Sequence, residues 1–149
     1  LPGLQKMLSS FAKSLSEYKV GNYETSIVLA WFIIEETLSK LWQEHIEEQN
    51  EELADGKKRI NRERRDFLPG RDFTISSISN LLELWGILPF EQFQDIDRVR
   101  GYRNKIVHSL GFTPGANEAQ LALNTAKLMI ERIGSVNFTP SMGYSVTGL

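Results

Sequence analysis

Apolar residues recur at helical spacing in five stretches of the chain, and no stretch of any length alternates with the period of a strand. Residues 4–18 place Leu4, Met7, Leu8, Phe11, Leu15 and Tyr18 along one face, and Gly21-Asn22 breaks the pattern. Residues 23 to about 53 give the strongest signal: Ile27, Ala30, Trp31, Ile34, Leu38, Leu41, Trp42 and Ile46 form a stripe. Val28, Leu29, Phe32 and Ile33 widen that stripe until the helix is apolar nearly all round, which predicts a central helix packed on several sides. Residues 74–86 resume the period with Ile75, Ile78, Leu81, Leu82 and Trp85, and Thr74 stands where an N-cap is wanted. After the linker Gly86-Ile87-Leu88-Pro89, Pro89 suits the entry to a helix over 90–108. Its core residues are expected to be Phe90, Phe93, Ile96, Val99, Ile106 and Val107. The loop 111–115 leads to a last helix over 116–133, with Ala119, Leu121, Leu123, Ala126, Leu128, Met129 and Ile133. The expectation is an all-α, up-and-down bundle of about five helices over residues 1–134, followed by an irregular tail, 135–149, unless that tail docks.

One segment interrupts the period. Residues 54–73 open on the turn signal Asp55-Gly56 and contain Lys57, Lys58, Arg59, Arg62, Arg64, Arg65 and Arg71, seven of the chain's 17 basic residues. Apolar residues are few there, and Pro69-Gly70 forms a second break. The segment reads as a mobile or partly helical loop, either solvated, as charge runs usually are, or touching phosphate backbones. The acidic stretch before it (Glu44, Glu47, Glu48, Glu51, Glu52) could pair with it instead.

Composition narrows the chemistry. The 149 residues fit one domain, and net charge is −2, so no global basic field announces nucleic acid; such binding must come from local clusters. The absence of cysteine excludes disulfides, thiolate catalysis and Cys-ligated metals. The start Leu1-Pro2-Gly3 has no signal-peptide pattern, and its lack of a methionine suggests a missing natural start. The longest apolar run, 27–34, is far short of the ~20 residues needed to span a bilayer. A cytoplasmic protein without a membrane partner is the expectation. Asp95 and Asp97 could suggest a metal, but two positions apart on a helix they splay onto different faces and suit Arg98 and Arg100 better. No metal and no cofactor is expected. His45, on the apolar stripe, reads as a histidine at the edge of the core.

The candidate chemistry lies in Arg98-Val99-Arg100-Gly101-Tyr102-Arg103-Asn104-Lys105-Ile106-Val107-His108, which holds four basic residues and one of only two histidines. As a helix it puts Arg100, Asn104 and His108 on one drifting face, with Arg103 roughly 140° round from His108. Gly111 and Pro114 make a helix end near His108 plausible, where a long Arg could converge with it. The set suits a phosphodiester: Arg grips phosphate, His moves a proton near neutral pH, and Asn orients either. The plain alternative is a helix C-terminus capped by cations. Glu35 and Glu36 interrupt the apolar surface of the central helix; one of them, by preference Glu35, could face Arg103 or His108, or the apolar surface simply ends there. Gly101 costs about 1 kcal/mol relative to Ala in mid-helix, which a close helix or dimer approach would explain.

Arg103-Asn104-x-x-x-His108, late in a small helical chain, resembles the signature of the HEPN superfamily: Arg, four to six residues, then His, often with Asn, Asp or His directly after the Arg. The resemblance extends to the apolar segment from Leu29-Ala30-Trp31 to Glu35-Glu36-Thr37-Leu38 with an acidic residue in its middle, and covers most of residues 20–133, interrupted at 54–73. It implies a bundle with the Arg-x4-His helix in its core pair, commonly dimerising so that two motifs form one composite cleft. It also implies a metal-independent endoribonuclease in which a ribose 2′-hydroxyl attacks the adjacent phosphorus, leaving a 2′,3′-cyclic phosphate. In that reading His108 is the general acid or base, Arg103 stabilises the phosphate, Asn104 positions phosphate or His108, and Glu35 orients Arg103 or His108. Arg100, Lys105 and the basic residues Lys57, Lys58, Arg59, Arg62, Arg64 and Arg65 would contact RNA. The settings implied are toxin–antitoxin pairs and phage defence, with RNA, a second copy and an antitoxin or other protein as partners. One departure stands out: a subgroup carries Tyr two residues after the His, where this chain has Leu110.

Two other readings remain beside it. A catalytically silent HEPN-like module would bind RNA, a nucleotide or a protein through the same cleft. A helical interaction subunit would use its broad apolar helices and Glu-rich extension to dock a partner.

Overall fold

The computed structural model describes residues 3–67 and 74–140, with the backbone alone described for 65–67. Arg71 and the Pro69-Gly70 break lie outside the described residues, as do the Arg65 side chain and the tail from 141 onward. The described residues form six α-helices: α1 (Leu4–Lys19), α2 (Tyr23–Glu48), α3 (Arg62–Phe67), α4 (Ile75–Leu84), α5 (Phe90–His108) and α6 (Ala116–Gly134). The architecture is an all-α bundle, and five of the helices fall where the apolar period puts them.

α2 is the axis. Its whole stripe from Ile27 to Ile46 is buried, and it packs against α1, α4, α5 and α6. α1 turns back on it through Gly21, whose φ of 82° is left-handed, and two buried serines fasten the pair. Ser14 Oγ donates to the Ser26 carbonyl at 2.7 Å, and Ser26 Oγ donates to the Ser14 carbonyl at 2.9 Å. Each hydroxyl is thereby satisfied without water, which lets the two backbones approach closely.

Directions alternate at α1–α2, α4–α5 and α5–α6, but not between α2 and α4. The start of α4 (Ile75, Ser76) meets Trp31, and Trp85, just past its end, stacks on Trp42 with ring centroids 5.8 Å apart. α4 therefore runs beside α2 in the same direction, because the long 49–74 segment carries the chain back before α4 begins. α5 then returns antiparallel to both. Gln92 near its start accepts from Arg132 Nε at the end of α6, at 3.1 Å. At the bundle's other end, Gln120 Nε2 donates to Tyr18 Oη at 2.7 Å, so the α1–α2 turn, the end of α5 and the start of α6 lie together.

The basic segment is more ordered than an open loop. Leu53 N–H donates to the Lys57 carbonyl and Arg59 N–H to the Glu51 carbonyl, both at 2.7 Å, so 51–59 is a small hairpin. Gly56 takes φ 83° at its turn, and Asp55 Oδ1 accepts from Lys57 N–H at 3.0 Å. Ile60 is buried and ties the hairpin's exit to the core, with its N–H held by Asn50 Oδ1 at 2.8 Å. α2 ends at Glu48, short of the expected 53, because 49–53 forms the first arm of this hairpin.

Thr74 caps α4 as expected, its Oγ1 accepting from Ser77 N–H at 3.2 Å. Thr74→Ala should cost about 1 kcal/mol of stability, read as a lower denaturant midpoint at unchanged slope. A midpoint equal to the parent's would mean that the cap contributes nothing.

α5 departs from expectation. Only Ile96 and Val99 on it are buried, while Phe90 and Val107 are 57% and 52% exposed. All four were expected in the core, but α5 packs through the face that carries Ile96 and Val99, with Tyr102 and Ile106 resting against the core, and Phe90 and Val107 are left uncovered. The helix forms a flank of the bundle. The C-terminal segment docks as far as it is described: Phe138 meets the Phe11 ring edge-on at 5.5 Å.

Candidate functional site

Arg103, Asn104 and His108 lie on the last two turns of α5, at the end of the bundle shared with the α1–α2 turn. The Arg103 guanidinium donates from Nη1 to Asn104 Oδ1 at 3.2 Å. Arg103 has no ion pair among the described residues, so its remaining donors stay open for an anion. His108 is exposed at the last position of the helix and has no hydrogen-bond or ion-pair partner among the described residues.

Three further cations share the helix: Arg98, Arg100 and Lys105. Arg100 is tied to Asp97 at 2.7 Å and lines a narrow crevice between α2, α4 and α5 with Trp31, Ser79 and Asn80. That crevice does not reach Arg103, Asn104 or His108. Asp95 pairs with Arg98 at 3.6 Å, so the two aspartates serve their own arginines, as their splay predicts. Partial burial raises the Asp95 carboxyl above the usual range, against the pull of Arg98 and with a smaller push from Glu91. Among the described residues no three His, Asp or Glu side chains gather as a metal site.

Lys105 extends outward and holds its ammonium 5.5 Å from the centre of the Phe112 ring. The chain after α5 turns tightly, with Phe112 N–H donating to the Ser109 carbonyl, and lays that ring on Tyr102 at 6.3 Å and 15°. Buried Pro114 then starts the approach to α6, whose first turn is closed by Glu118 Oε2 accepting from Gly115 N–H at 3.1 Å. Sequence reading passed over Phe112 as part of a loop; its only signal was an aromatic residue between Gly and Pro.

Glu35 is not brought to this end. It lies one turn beyond Trp31 on α2, and its Oε1 accepts from the Trp31 indole N–H at 2.5 Å. Because α5 runs antiparallel to α2, that turn leads toward the start of α5 and away from His108. Neither Arg103 nor His108 is within ion-pair distance of it. Glu36 pairs with Lys40 at 3.8 Å on the exposed side.

The basic residues of the hairpin, Lys57, Lys58 and Arg59, also stand apart. They follow the far end of α2, and α5 alone spans about 28 Å between the two ends. Within the hairpin Arg59 pairs with Glu51 at 3.9 Å, and Lys58 sits across the strands from Glu52. Lys57, Arg62 and Arg64 are exposed, and Arg64 leans on the Arg59 carbonyl at 3.4 Å. The acidic and basic stretches thus meet each other before they meet a ligand. His45 lies against Trp85 with centroids 4.5 Å apart, at the edge of the core.

Among the described residues nothing lies within 4 Å of where a Cβ on Gly101 would stand, so no described helix approaches it there. No described helix is long and apolar enough to cross a membrane. No family model, curated protein or solved structure matches this chain.

Proposed function

We propose that this chain is a metal-independent endoribonuclease of HEPN type. The observation that carries the reading is the Arg103–Asn104 pair with an unpartnered His108 at an exposed helix end. In the reaction a ribose 2′-hydroxyl gives up its proton as its oxygen bonds to the adjacent phosphorus, the bond from phosphorus to the 5′-oxygen breaks, and that 5′-oxygen takes up a proton. His108 moves one of these protons. Arg103, its fork oriented by Asn104, holds the phosphate oxygens as charge develops on them. Lys105 and Arg100 supply further positive charge along the same helix. Residues 57–64 reach only an RNA long enough to run from one end of the bundle to the other.

The motif stands on an edge of the protomer, and a second copy packed across α5 would turn that edge into a cleft. Open space at Gly101 and the exposure of Val107 and Leu110 support such a homodimer. A toxin or phage-defence role with an antitoxin partner follows from the resemblance alone.

The test is incubation with labelled single-stranded RNA in EDTA, beside His108→Ala. Cyclic-phosphate ends made by the parent and not by the variant support the reading; an intact RNA panel with a folded, dimeric parent counts against it. Glu35→Gln should retain cleavage within about threefold, since its carboxylate serves Trp31. A loss as deep as that of His108→Ala would restore Glu35 to the site. The silent-module reading is favoured by one observation: among the described residues no group hydrogen-bonds the His108 ring to set its tautomer.

A further inference from the structure

Phe112 is an aromatic side chain outside the hydrophobic core, although the ring beneath it, Tyr102, joins that core. It is half-buried, seated on Tyr102 at 6.3 Å and 15°, with the Lys105 ammonium 5.5 Å from its centre. The turn at Ser109 fixes this seat four residues after His108. An aromatic residue that stays outside the core, yet is held flat beside a cation on the helix that also carries Arg103 and His108, has the form of a stacking surface. Proteins that take single-stranded nucleic acid combine such rings with nearby positive charge, because every base has a π-face and every linkage a phosphate.

We propose that Phe112, laid on Tyr102 and flanked by Lys105, is a ledge on which a nucleobase next to the phosphate held by Arg103 stacks. The proposal rests on the ribonuclease reading of Arg103 and His108. The ledge recognises a planar base without reading its edges, so the substrate it implies is single-stranded RNA with little base preference at that position. A paired base, already stacked on both sides, could not reach it. Lys105, beside the ring, meets the phosphate that follows the stacked base.

Binding tests this without relying on cleavage. The His108→Ala protein is titrated, by fluorescence anisotropy, into labelled oligo(A) of about ten nucleotides and into a base-free ribose-phosphate chain of the same length. Oligo(A) should bind more tightly. Adding Phe112→Leu should weaken oligo(A) about five- to hundredfold and leave the base-free chain unchanged, while Phe112→Tyr keeps the preference. Equal loss on both oligomers would make Phe112 a loop anchor only, and no loss on either would remove the ledge; both overturn the proposal while RNA binding stands. Failure of the Phe112-containing protein to bind either oligomer would overturn the ribonuclease reading itself, and the ledge with it. If Phe112→Leu does not fold, the Phe112 ring protons decide: oligo(A) should shift them upfield in proton NMR, and unmoved resonances would overturn the ledge.

Discussion

Glu131→Ala should destabilise the fold by about 3–5 kcal/mol, a large share of the roughly 5–15 kcal/mol that holds a domain of this size together. Lys127 and Glu131 are one turn apart on α6 and form an ion pair at 2.9 Å, with side chains only 4% and 13% exposed. Removing the carboxylate leaves an ammonium out of water with one weak partner, the Phe138 ring at 5.1 Å. The same change removes the acceptor of Phe138 N–H, which Glu131 Oε2 holds at 3.2 Å, and so loosens the segment that covers the pair. Lys127→Met should cost less, because Glu131 keeps the Phe138 N–H and lies nearer to water. The double variant Lys127→Met/Glu131→Leu should regain most of the loss, since an apolar pair of similar volume has no charge to desolvate. Chemical unfolding followed by circular dichroism measures all three. A single Glu131→Ala loss below about 1 kcal/mol would mean that water reaches Lys127, as in an ordinary surface pair.

His108→Ala and Arg103→Lys should remove RNA cleavage and leave the fold intact. Loss of a positioned proton-transfer group costs about 10²–10⁴ in rate, and loss of a donor that stabilises developing charge about 10²–10³. Lysine keeps the charge at 103 but not the planar fork, and it cannot give Asn104 and a phosphate the same two-edged contact. Asn104→Ala should fall less far, because it releases Arg103 without removing it. The double variant His108→Ala/Arg103→Lys should be little worse than His108→Ala, as expected of residues acting on one step. Unfolding midpoints should move by about 0.5 kcal/mol or less, because His108 is exposed and unpartnered. Rates and midpoints together decide the matter: a cleavage loss that tracks a stability loss would point to damage to α5. Arg100→Ala and Lys105→Ala, in contrast, should weaken binding and each reduce the salt slope by about one.

The amphipathic period carries local information, and what is local was legible. Helical spacing marked α1, α2, α4, α5 and α6, and the nearly all-round apolar surface of α2 marked it as central because such a surface must be covered on several sides. Thr74, Gly21 and Asp55-Gly56 could be read because capping and left-handed turns depend on one or two residues. The pairing of Asp95 and Asp97 with arginines three positions on was likewise visible, since helix geometry brings i and i+3 together without help. Arg103 and Asn104 as neighbours belong in the same class.

What the tertiary structure decided depends on which surfaces meet. Phe90 and Val107 are apolar residues on a packed helix, but nothing in their neighbourhood along the chain says that the other helices leave them uncovered. Lys127 and Glu131 look like a surface pair at i, i+4; they are buried because Phe138 returns over them from beyond the end of α6. Glu35 could face either end of α5 until the 49–74 connection set α4 parallel to α2 and α5 antiparallel to both, which gave its carboxylate to Trp31. Lys57, Lys58 and Arg59 look free in the sequence to reach the motif helix, yet the direction of α2 carried their hairpin to the opposite end and set Arg59 and Lys58 against Glu51 and Glu52. By itself the sequence determined the helices, their buried faces and the residues that could do chemistry, because periodicity and capping act over a few residues. Only the packing decided which of those residues share an end of the bundle, because chain direction and the course of a long connection leave no mark in the local pattern.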